Sequence, residues 1–301
     1  KNVITLKNKT MKTQKLITII VSCSVALSFQ NCSKDRIETN KKSYESMNAY
    51  FDSKKQEEQE FIIDTLGECP ITGKLGTHIC IQKSDLQFAN GDSVYFPYIL
   101  KLVELYSIKD MIYYQATNNT TDGYFSSKGE VRIRTFKNES ELQLRSNKSI
   151  EVEIKDSTSN QDLSVYYQQN ATPFMWNKSN ELYSDTDYGY LSLVSLGWNS
   201  AGKQIANTNT AKITFSSETD NLETVEMFLY IHSGQSIVKI NNHKEIQAPL
   251  GEEVTIICMA IDKQNQLYSF KTTKLISGNL AIDVSLTKIS DEELTQILDN
   301  L

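Results

Sequence analysis

Catalytic residue types are scarce in this chain. Its 301 residues include only three histidines, His78, His232 and His243, and none of them belongs to a His-Glu-x-x-His zinc motif. The sequence also lacks a Gly-x-Ser-x-Gly nucleophile turn and a phosphate-binding Gly-x-x-x-x-Gly-Lys-Ser/Thr loop. We therefore interpret the histidines as structural or surface residues, although a nucleophile, a histidine and an acid from distant positions can still meet in a fold.

The carboxylates offer two further chemistries. The 37 acidic residues allow many pairings of the kind that glycoside hydrolysis needs, but nothing in the sequence singles out one pair. Asp185, Asp187 and Gly189 look like part of a calcium loop, but the 12-residue spacing and its terminal glutamate are missing. We predict no metal, no cofactor and no catalytic residue, with an envelope glycan hydrolase as the alternative to a non-enzymatic role.

The side chains best suited to a ligand lie in an aromatic-rich stretch at residues 161–204. This stretch contains Tyr166, Tyr167, Phe174, Trp176, Tyr183, Tyr188, Tyr190 and Trp198. Planar rings with polar handles suit a binding surface, including one that stacks on sugar rings. We select Trp176, Trp198, Tyr188 and Tyr190 as candidate ligand-binding residues. The alternative is that both tryptophans pack in a contact between two domains.

The residues before Cys32 predict export and lipid attachment. The segment 11–15 is short and basic, the segment 16–29 is almost wholly apolar, and Cys32 lies just after it, before a polar run. A charged segment, an apolar segment and a cysteine in this order are typical of a secretory signal that ends in a lipid-attachment site. We predict a signal region over residues 1–31, of which residues 1–10 precede a candidate start at Met11, and an acylated Cys32.

Two other interpretations of this segment stay open. The Ile-Val-Ser-Cys run at 20–23 fits the usual residues around a lipidated cysteine better than Asn31 before Cys32 does. Lipidation of Cys23, however, leaves the apolar residues 25–29 exposed as a tail. An uncleaved anchor is the third interpretation, and it is the weaker one because spanning a bilayer takes roughly 20 apolar residues.

The net charge argues against two classes of partner. The chain has 31 basic and 37 acidic residues, and removal of the five lysines before Cys32 leaves 26 against 37, a net charge of −11. Because nucleic-acid phosphates need a basic footprint, we predict no nucleic-acid partner. An acidic surface does not adhere to anionic lipid, so we expect membrane contact through the lipid anchor alone.

The remaining cysteines allow one disulfide. An oxidising compartment permits such a bond, and Cys69 with Cys80 is the pair to test. Cys80 and Cys258 each lie in an apolar strand pattern, however, where a small buried thiol is the default expectation.

The apolar periodicity changes along the chain. Residues 38–66 are charged, with apolar positions at helical spacing, which predicts a spacer between the anchor and the folded body. Alternating apolar and polar residues then predict strands in two regions, at 71–154 and again at 212–288. Near the end, Ser290 and Glu293 form the pattern of a capping box, with Leu294 and Leu298 on one face of the helix that follows. We expect this helix to dock on the protein's own body.

These elements predict a mainly β protein with two antiparallel β-sandwich domains, an N-terminal signal and helical spacer, and a short C-terminal helix. The predicted divisions are a tethered spacer at 32–66, a first sandwich at 67–160, an aromatic-rich connector at 161–204, a second, Ig-like sandwich at 205–289 and the helix at 290–301.

Several segments resemble a known family. They are Gly-Thr-His-Ile-Cys-Ile at 76–81, Val-Glu-Leu-Tyr-Ser-Ile-Lys-Asp-Met at 103–111, Gly-Glu-Val-Arg-Ile at 129–133, Glu-Leu-Gln-Leu at 141–144, Ser-Leu-Gly-Trp at 195–198 and Cys-Ser-Lys-Asp at 32–35. Together they are similar to uncharacterised Bacteroidetes-type envelope lipoproteins with a ZU5-like β domain. Gln82 and the Asn199-Ser200 pair depart from that pattern. The resemblance implies an interaction or assembly module, and fold analogy alone assigns no site.

The sequence therefore predicts a lipid-anchored, non-catalytic binding or assembly module of the cell envelope, with the outer membrane favoured. We expect its partner to be a protein or a glycan.

Overall fold

Strands account for most of the regular structure, as the alternating pattern predicts. The computed structural model describes residues 44–65, 71–154, 163–168, 174–182, 190–193, 196–205 and 209–301. Several antiparallel sheets and a short C-terminal helix are present, so the mainly β prediction is confirmed. No helix in these ranges has both the length and the apolar character that crossing a membrane requires.

The elements are as follows in chain order. The helices are α1 (Met47–Lys54), α2 (Ile108–Tyr114) and α3 (Asp291–Asp299), with short 3-10 turns at Lys83–Asp85 and Leu222–Thr224. The strands are β1 (Gln59–Ile63), β2 (Ile71–Thr72), β3 (His78–Cys80), β4 (Leu86–Gln87), β5 (Tyr98–Leu105), β6 (Asn119–Thr120), β7 (Gly123–Lys137), β8 (Ser140–Glu141), β9 (Gln143–Leu144), β10 (Ile150–Glu153), β11 (Ser164–Gln168), β12 (Asn177–Leu182), β13 (Tyr190–Leu193), β14 (Gly197–Ile205), β15 (Thr210–Ser216), β16 (Glu226–Ile231), β17 (Ser236–Lys239), β18 (Glu245–Pro249), β19 (Glu253–Ile261), β20 (Leu267–Leu275), β21 (Leu280–Asp283) and β22 (Thr287–Ile289).

The first sandwich packs a large sheet against a small one. The large sheet has the order β1-β5-β7-β14-β11-β12, with β6 and β8 paired to β7, and the small sheet has the order β13-β10-β3-β2. Alternate residues of β5, among them Leu100 and Leu102, face Ile79 and Val152 of the small sheet in one apolar core. This alternation is the one that the sequence shows, because successive strand residues point to opposite faces.

A buried glutamate joins these two sheets. Glu104 of β5 is completely buried, and its carboxylate accepts hydrogen bonds from the Gln59 side chain (2.7 Å) and from the backbone N–H groups of Leu75 (2.9 Å) and Thr77 (3.0 Å). A buried carboxylate is tolerated when its oxygens are satisfied in this way. Glu104 therefore fixes the β2–β3 turn of the small sheet to the large sheet.

The second sandwich packs a five-stranded sheet against a three-stranded one. Their orders are β17-β16-β19-β20-β22 and β18-β15-β21, and the pairing of β15 with β21 is parallel. Met227, Leu229 and Ile256 from the first of these sheets meet Ile213 and Ile282 from the second in an apolar core.

A third apolar core, which we call the shared core, lies between the two sandwiches. It consists of buried residues from the second face of the large sheet, from the second face of the five-stranded sheet and from all three helices, among them Phe51, Val103, Met111, Phe125, Tyr166, Trp176, Trp198, Phe228, Ile257 and Leu294. Residues 44–301 accordingly form one compact unit, in which the two predicted sandwiches share a core.

Asn118 and Asn119 make polar contacts across this junction. The backbone N–H of Asn118 donates to Ile237 O (2.7 Å), and its side-chain Oδ1 accepts from Ile237 N–H (2.8 Å). Its Nδ2 donates to Glu130 Oε1 (2.8 Å), and the neighbouring Asn119 bonds both the N–H and the carbonyl of Lys239. The segment before β7 is therefore hydrogen-bonded to β17 of the other sandwich.

The predicted spacer is wrong for the part of it that the structure describes. Residues 44–65 contain α1 and β1, and β1 pairs along its length with β5. Tyr50 and Phe51 of α1 are fully buried in the shared core. The abundance of charge suggested a solvated helix, but a three-residue apolar face is enough to dock a short helix when an aromatic surface faces it.

The C-terminal helix forms as the sequence predicts. Ser290 Oγ accepts from Glu293 N–H (3.1 Å), and Glu293 Oε2 accepts from Ser290 N–H (2.9 Å), which completes the capping box. Leu294 and Leu298 are buried in the shared core, so α3 docks on the protein's own body.

Two further predictions are corrected: the connector at 161–204, and the free buried thiol expected at Cys80. Residues 161–204 hold β11–β13 and most of β14, so this stretch supplies three strands of the large sheet rather than a link between domains. Cys80 is disulfide-bonded, and Cys258 is a free buried thiol. Cys69 lies outside the described residues, and its pairing with Cys80 stays a prediction.

Loss of the Asn118 side chain should loosen the junction. We expect Asn118→Ala to lower the free energy of unfolding by about 2–4 kcal/mol, because it leaves Ile237 N–H and the Glu130 carboxyl buried without partners. The measurement is urea unfolding followed by fluorescence. Asn300→Ala, at an exposed position near the end of α3, is the control and should change stability little. Equal stabilities of the two variants would contradict the assignment.

Candidate functional site

A cavity of about 460 Å³ opens at the rim of the shared core. Its walls come from the start of α2, from residues 127–129 of β7, from Tyr230 and Gln235 of the second sandwich and from the end of α3. Pockets that bind small ligands have volumes of about 300–1,000 Å³ and occur preferentially where domains meet. The cavity lies where both sandwiches and two helices converge, which makes it our candidate functional site.

The α2 wall carries charge that is already paired. Ser107 caps α2: its hydroxyl accepts from Asp110 N–H (3.1 Å) and donates to Asp110 Oδ2 (2.7 Å). Lys109 pairs with Asp299 at the end of α3, and this hydrogen bond raises the pKa of Lys109. Because each of these three charged groups has a partner, this side of the cavity offers polar contacts without a large excess of charge.

Two tyrosines form another part of the lining. Tyr106 bonds through its hydroxyl to Thr77 Oγ1 (2.8 Å), and its ring lies directly over Gly129. Gly129 has φ +132, and a side chain there would collide with the Tyr106 ring, so only glycine fits. Tyr230 is nearly buried, and burial raises the pKa of its hydroxyl. The Tyr106 ring is therefore fixed in position, and the raised pKa keeps the Tyr230 hydroxyl neutral.

The β7 wall is an irregularity in the large sheet. The pairing of β7 with β14 shifts register between Ser200 and Gly202. Ser127 Oγ accepts from Gly129 N–H (3.1 Å) and lies 3.0 Å from Ser200 Oγ, and the Ser200 hydroxyl donates to Gly129 O (2.9 Å). Bulges of this kind re-aim side chains and are common beside binding sites.

The next residue of β7, Glu130, is a completely buried acid. Burial raises its pKa well above the ordinary value, an effect that the hydrogen bond from Asn118 only partly opposes. Its second oxygen, Oε2, has no hydrogen-bond partner in the described part of the chain. Glu130 is therefore held toward its neutral, protonated form next to the bulge that lines the cavity.

The two fully buried glutamates do not form a catalytic pair. Glu104 is opposite Val131 and Glu130 is opposite Leu105 in the register of β5 with β7. Consecutive strand residues face opposite sides, so the two carboxyls lie on opposite faces of the large sheet. The acids that line the cavity, Asp110 and Asp299, are bound to Ser107 and Lys109.

An acid–histidine–hydroxyl series does exist near the cavity. His232, whose ring is 4.6 Å from that of Tyr230, bonds through Nε2 to Thr255 Oγ1 (2.8 Å), and its Nδ1 lies 3.8 Å from Glu253 Oε1. Thr255 is 1% exposed, and its hydroxyl also bonds Thr273 Oγ1 (2.8 Å). A buried hydroxyl that is already bonded cannot reach a substrate, so we interpret this series as a structural network.

The selection of Trp176 as a ligand-binding residue is wrong. Trp176 is fully buried, its Nε1 donates to Thr117 O (3.0 Å), and its backbone N–H donates to Asn119 O (2.9 Å). Its ring meets Phe125 and Phe174 edge to face. The alternative that the sequence left open, packing between the sandwiches, describes this residue correctly.

Trp198 is likewise unsuited to stack on a ligand. It is 7% exposed and lies beneath Arg132, whose guanidinium carbon is 5.0 Å from the ring centroid, with Tyr114 and Phe174 at its edges. Tyr190 is the first residue of β13 in the small sheet. Tyr188, the acidic residues 185 and 187, Gly189, Cys23 and Cys32 lie outside the described residues.

The other sequence candidates are placed as follows. His78 Nδ1 bonds Glu153 Oε2 (2.7 Å) across the small sheet, and His243 lies in a turn. Within the described ranges, no group of three or more histidine, cysteine, aspartate or glutamate side chains is placed to hold a metal ion. The sequence did not point to the cavity, whose lining residues are ordinary in type and come from five separate segments.

In comparisons with known proteins, no protein-family model, no curated protein and no solved structure matches this chain.

The buried Glu130 should make stability depend on pH. The pKa of Glu130 in the folded protein is raised above the ordinary value of 4.5, so the folded chain holds a proton that the unfolded chain releases. The free energy of unfolding that this proton contributes is therefore lost as pH rises from about 4.5 through the folded pKa. The slope reaches about 1.4 kcal/mol per pH unit. We expect Glu130→Gln to have a flatter stability profile than the wild type in urea unfolding between about pH 5 and about pH 9.

Glu223→Gln, at an exposed position, is the matched control for that profile. Parallel profiles for the wild type and Glu130→Gln would show that Glu130 is ionised in the folded protein.

Proposed function

We propose that this protein is a lipid-anchored, non-catalytic binding module of the cell envelope, and that its ligand is a short neutral glycan held in the cavity between the sandwiches. The observation that carries the proposal is the cavity itself, a polar recess of about 460 Å³ with tyrosines in its lining. We place the ligand in this cavity rather than on Trp176 and Trp198, which are buried.

The chemistry of the lining favours a neutral polar ligand. Gln235 supplies an exposed amide group, and Ser107 and Tyr106 supply partly exposed hydroxyl and ring groups, whereas Ser127 and Tyr230 are buried in the lining. Sugars present hydroxyl groups around apolar ring faces, which such a mixture matches. The Lys109–Asp299 pair balances charge at the rim, so a strongly charged ligand gains little there.

The envelope location rests on two features. The run from residue 11 to Cys32 has the order of a lipoprotein signal, and Cys80 is disulfide-bonded. Disulfides persist in oxidising compartments such as the periplasm and the cell surface, and they are rare in the cytosol. The resemblance to ZU5-like envelope lipoproteins points the same way and likewise implies binding rather than catalysis.

Glycan binding is tested with the protein released from its anchor. We expect a glycan array to return neutral oligosaccharides, and Gln235→Ala to weaken the best of them about tenfold in calorimetry, because the exposed Gln235 side chain reaches the ligand directly. Gln264→Ala, an exposed glutamine in the β19–β20 hairpin, is the matched control and should bind as the wild type does. Equal affinities of both variants would place the ligand elsewhere, and release of new reducing ends would mean a hydrolase.

Lipid attachment is tested separately by labelling cells with an alkyne fatty acid. We expect the wild type and Cys23→Ala to carry the label and Cys32→Ala to lose it, because the acyl chains are attached to the cysteine that becomes the mature N-terminus. Label that is retained by Cys32→Ala and lost by Cys23→Ala would move the anchor to Cys23. Unlabelled wild type would contradict the anchor altogether.

A further inference from the structure

A second convergence of charged side chains lies on β7, beyond the cavity. Arg132 and Arg134 are two residues apart and so share a face of the large sheet. Both direct a guanidinium nitrogen, Nη2, at the Glu58 carboxylate: Arg132 lies 2.7 Å from Oε1, and Arg134 lies 2.8 Å from Oε1 and 2.6 Å from Oε2. Two guanidinium groups thus meet one carboxylate, which leaves an excess of one positive charge.

Aromatic rings hold the two arginines in place. The Arg132 guanidinium lies 5.0 Å from the Trp198 ring centroid and 5.8 Å from that of Tyr114, and the Arg134 guanidinium lies 5.1 Å from that of Phe136. Arginine stacks on aromatic faces and binds carboxylates through its planar fork. These platforms are supplied by β7, β14 and α2, so they orient both guanidinium groups independently of Glu58.

Glu58 comes from an irregular segment. It lies between α1 and β1, in a stretch without helix or strand structure. Burial alone would raise the pKa of Glu58, but the Arg134 hydrogen bond and the charges of both arginines lower it, so the group is a carboxylate. The three side chains are 22–32% exposed, whereas Nε of each arginine is buried and has no acceptor among the described residues. A partner carboxylate can therefore reach only the exposed part of these side chains, and not the buried Nε groups.

We infer that Arg132 and Arg134 form a binding site for a carboxylate in an extended acidic segment of a partner protein, and that Glu58 occupies this site in the free protein. Glu58 stands in for the partner's aspartate or glutamate. A partner carboxylate replaces one ion pair with another, so little extra desolvation is needed, and Glu58 acts as an internal competitor that lowers the affinity.

The surroundings favour a protein partner over an acidic glycan. Beside the arginines, the same face carries an apolar strip of Ile62, Ile99 and Phe136, which are cross-strand neighbours in the register of β1, β5 and β7. Ile62 is 67% exposed. An extended chain with a carboxylate followed by apolar side chains matches this order of charge and apolar surface, whereas a polyuronate has only the charge.

The test uses three probes in fluorescence anisotropy. They are a labelled decapeptide that repeats two glutamates followed by two valines, so that each face of the extended chain carries both residue types, its glutamine–valine counterpart and an oligogalacturonate. The proteins are the wild type, Glu58→Gln, Glu58→Gln with Arg134→Gln, the single Arg134→Gln variant, Lys148→Gln and Gln235→Ala. Lys148 pairs with Asp85 on another surface and is the control for a generic loss of positive charge.

We expect Glu58→Gln to bind the glutamate–valine peptide about tenfold more tightly than the wild type, because the competitor is gone. The added Arg134→Gln should abolish that gain, the glutamine–valine peptide should not bind, and Lys148→Gln should match the wild type. Gln235→Ala should also match it, which separates this site from the proposed glycan cavity.

Three results would overturn the inference. A folded Glu58→Gln that binds no more tightly than the wild type would mean that Glu58 is a structural ion-pair partner only. Oligogalacturonate bound as tightly as the peptide would assign the site to acidic glycans. If Lys148→Gln weakens peptide binding as much as the Arg134→Gln substitution does, the binding depends only on general electrostatic attraction. If Glu58→Gln fails to fold, Arg134→Gln is compared with the wild type, and it must lose peptide binding.

Discussion

The burial of the large sheet on both faces is the constraint on which the rest of this structure depends. One face packs on the small sheet, and much of the other packs on the five-stranded sheet and the three helices. Strand β7 takes part in each of these contacts. It pairs with β5 and β14, places Phe125 in the shared core and places Tyr124 in the core of the second sandwich. A strand of 15 residues that enters three apolar cores leaves the two sandwiches little freedom to move independently.

Polar groups at this junction follow from the same constraint. Where β7 and β14 lose their register, the serine and glycine groups of the bulge bond one another, and Asn118 satisfies backbone groups of the opposite sandwich. Apolar packing alone would fill the rim of the shared core. The caps and ends of α2 and α3 are polar instead, because helix termini carry backbone groups that need partners, and a cavity remains between them.

Three glutamates around the large sheet show how environment sets the state of one side-chain type. Glu104 is buried and held by three hydrogen-bond donors. Glu130 is buried with one donor, and its pKa is raised. Glu58 is partly exposed between two arginines, and its pKa is lowered. They serve as a structural tie, a neutral acid at the junction and a candidate competitor for a carboxylate ligand, and none of these roles is visible from the residue type.

The sequence by itself determined the features that depend on neighbouring residues. Alternation of apolar residues predicted the strands, and Ser290 with Glu293 predicted the last helix, because strand faces and helix caps are set within a few residues. Only the tertiary structure decided which elements meet. The charged stretch before Pro70 was predicted as a spacer, but Phe51 finds an aromatic surface formed by strands far along the chain. Trp176 and Trp198 had the chemistry of a ligand platform, and the pairing of distant strands buried them. Burial is a property of the assembled chain, so the cavity, the state of Glu130 and the convergence of Arg132, Arg134 and Glu58 arose from contacts that no local pattern records.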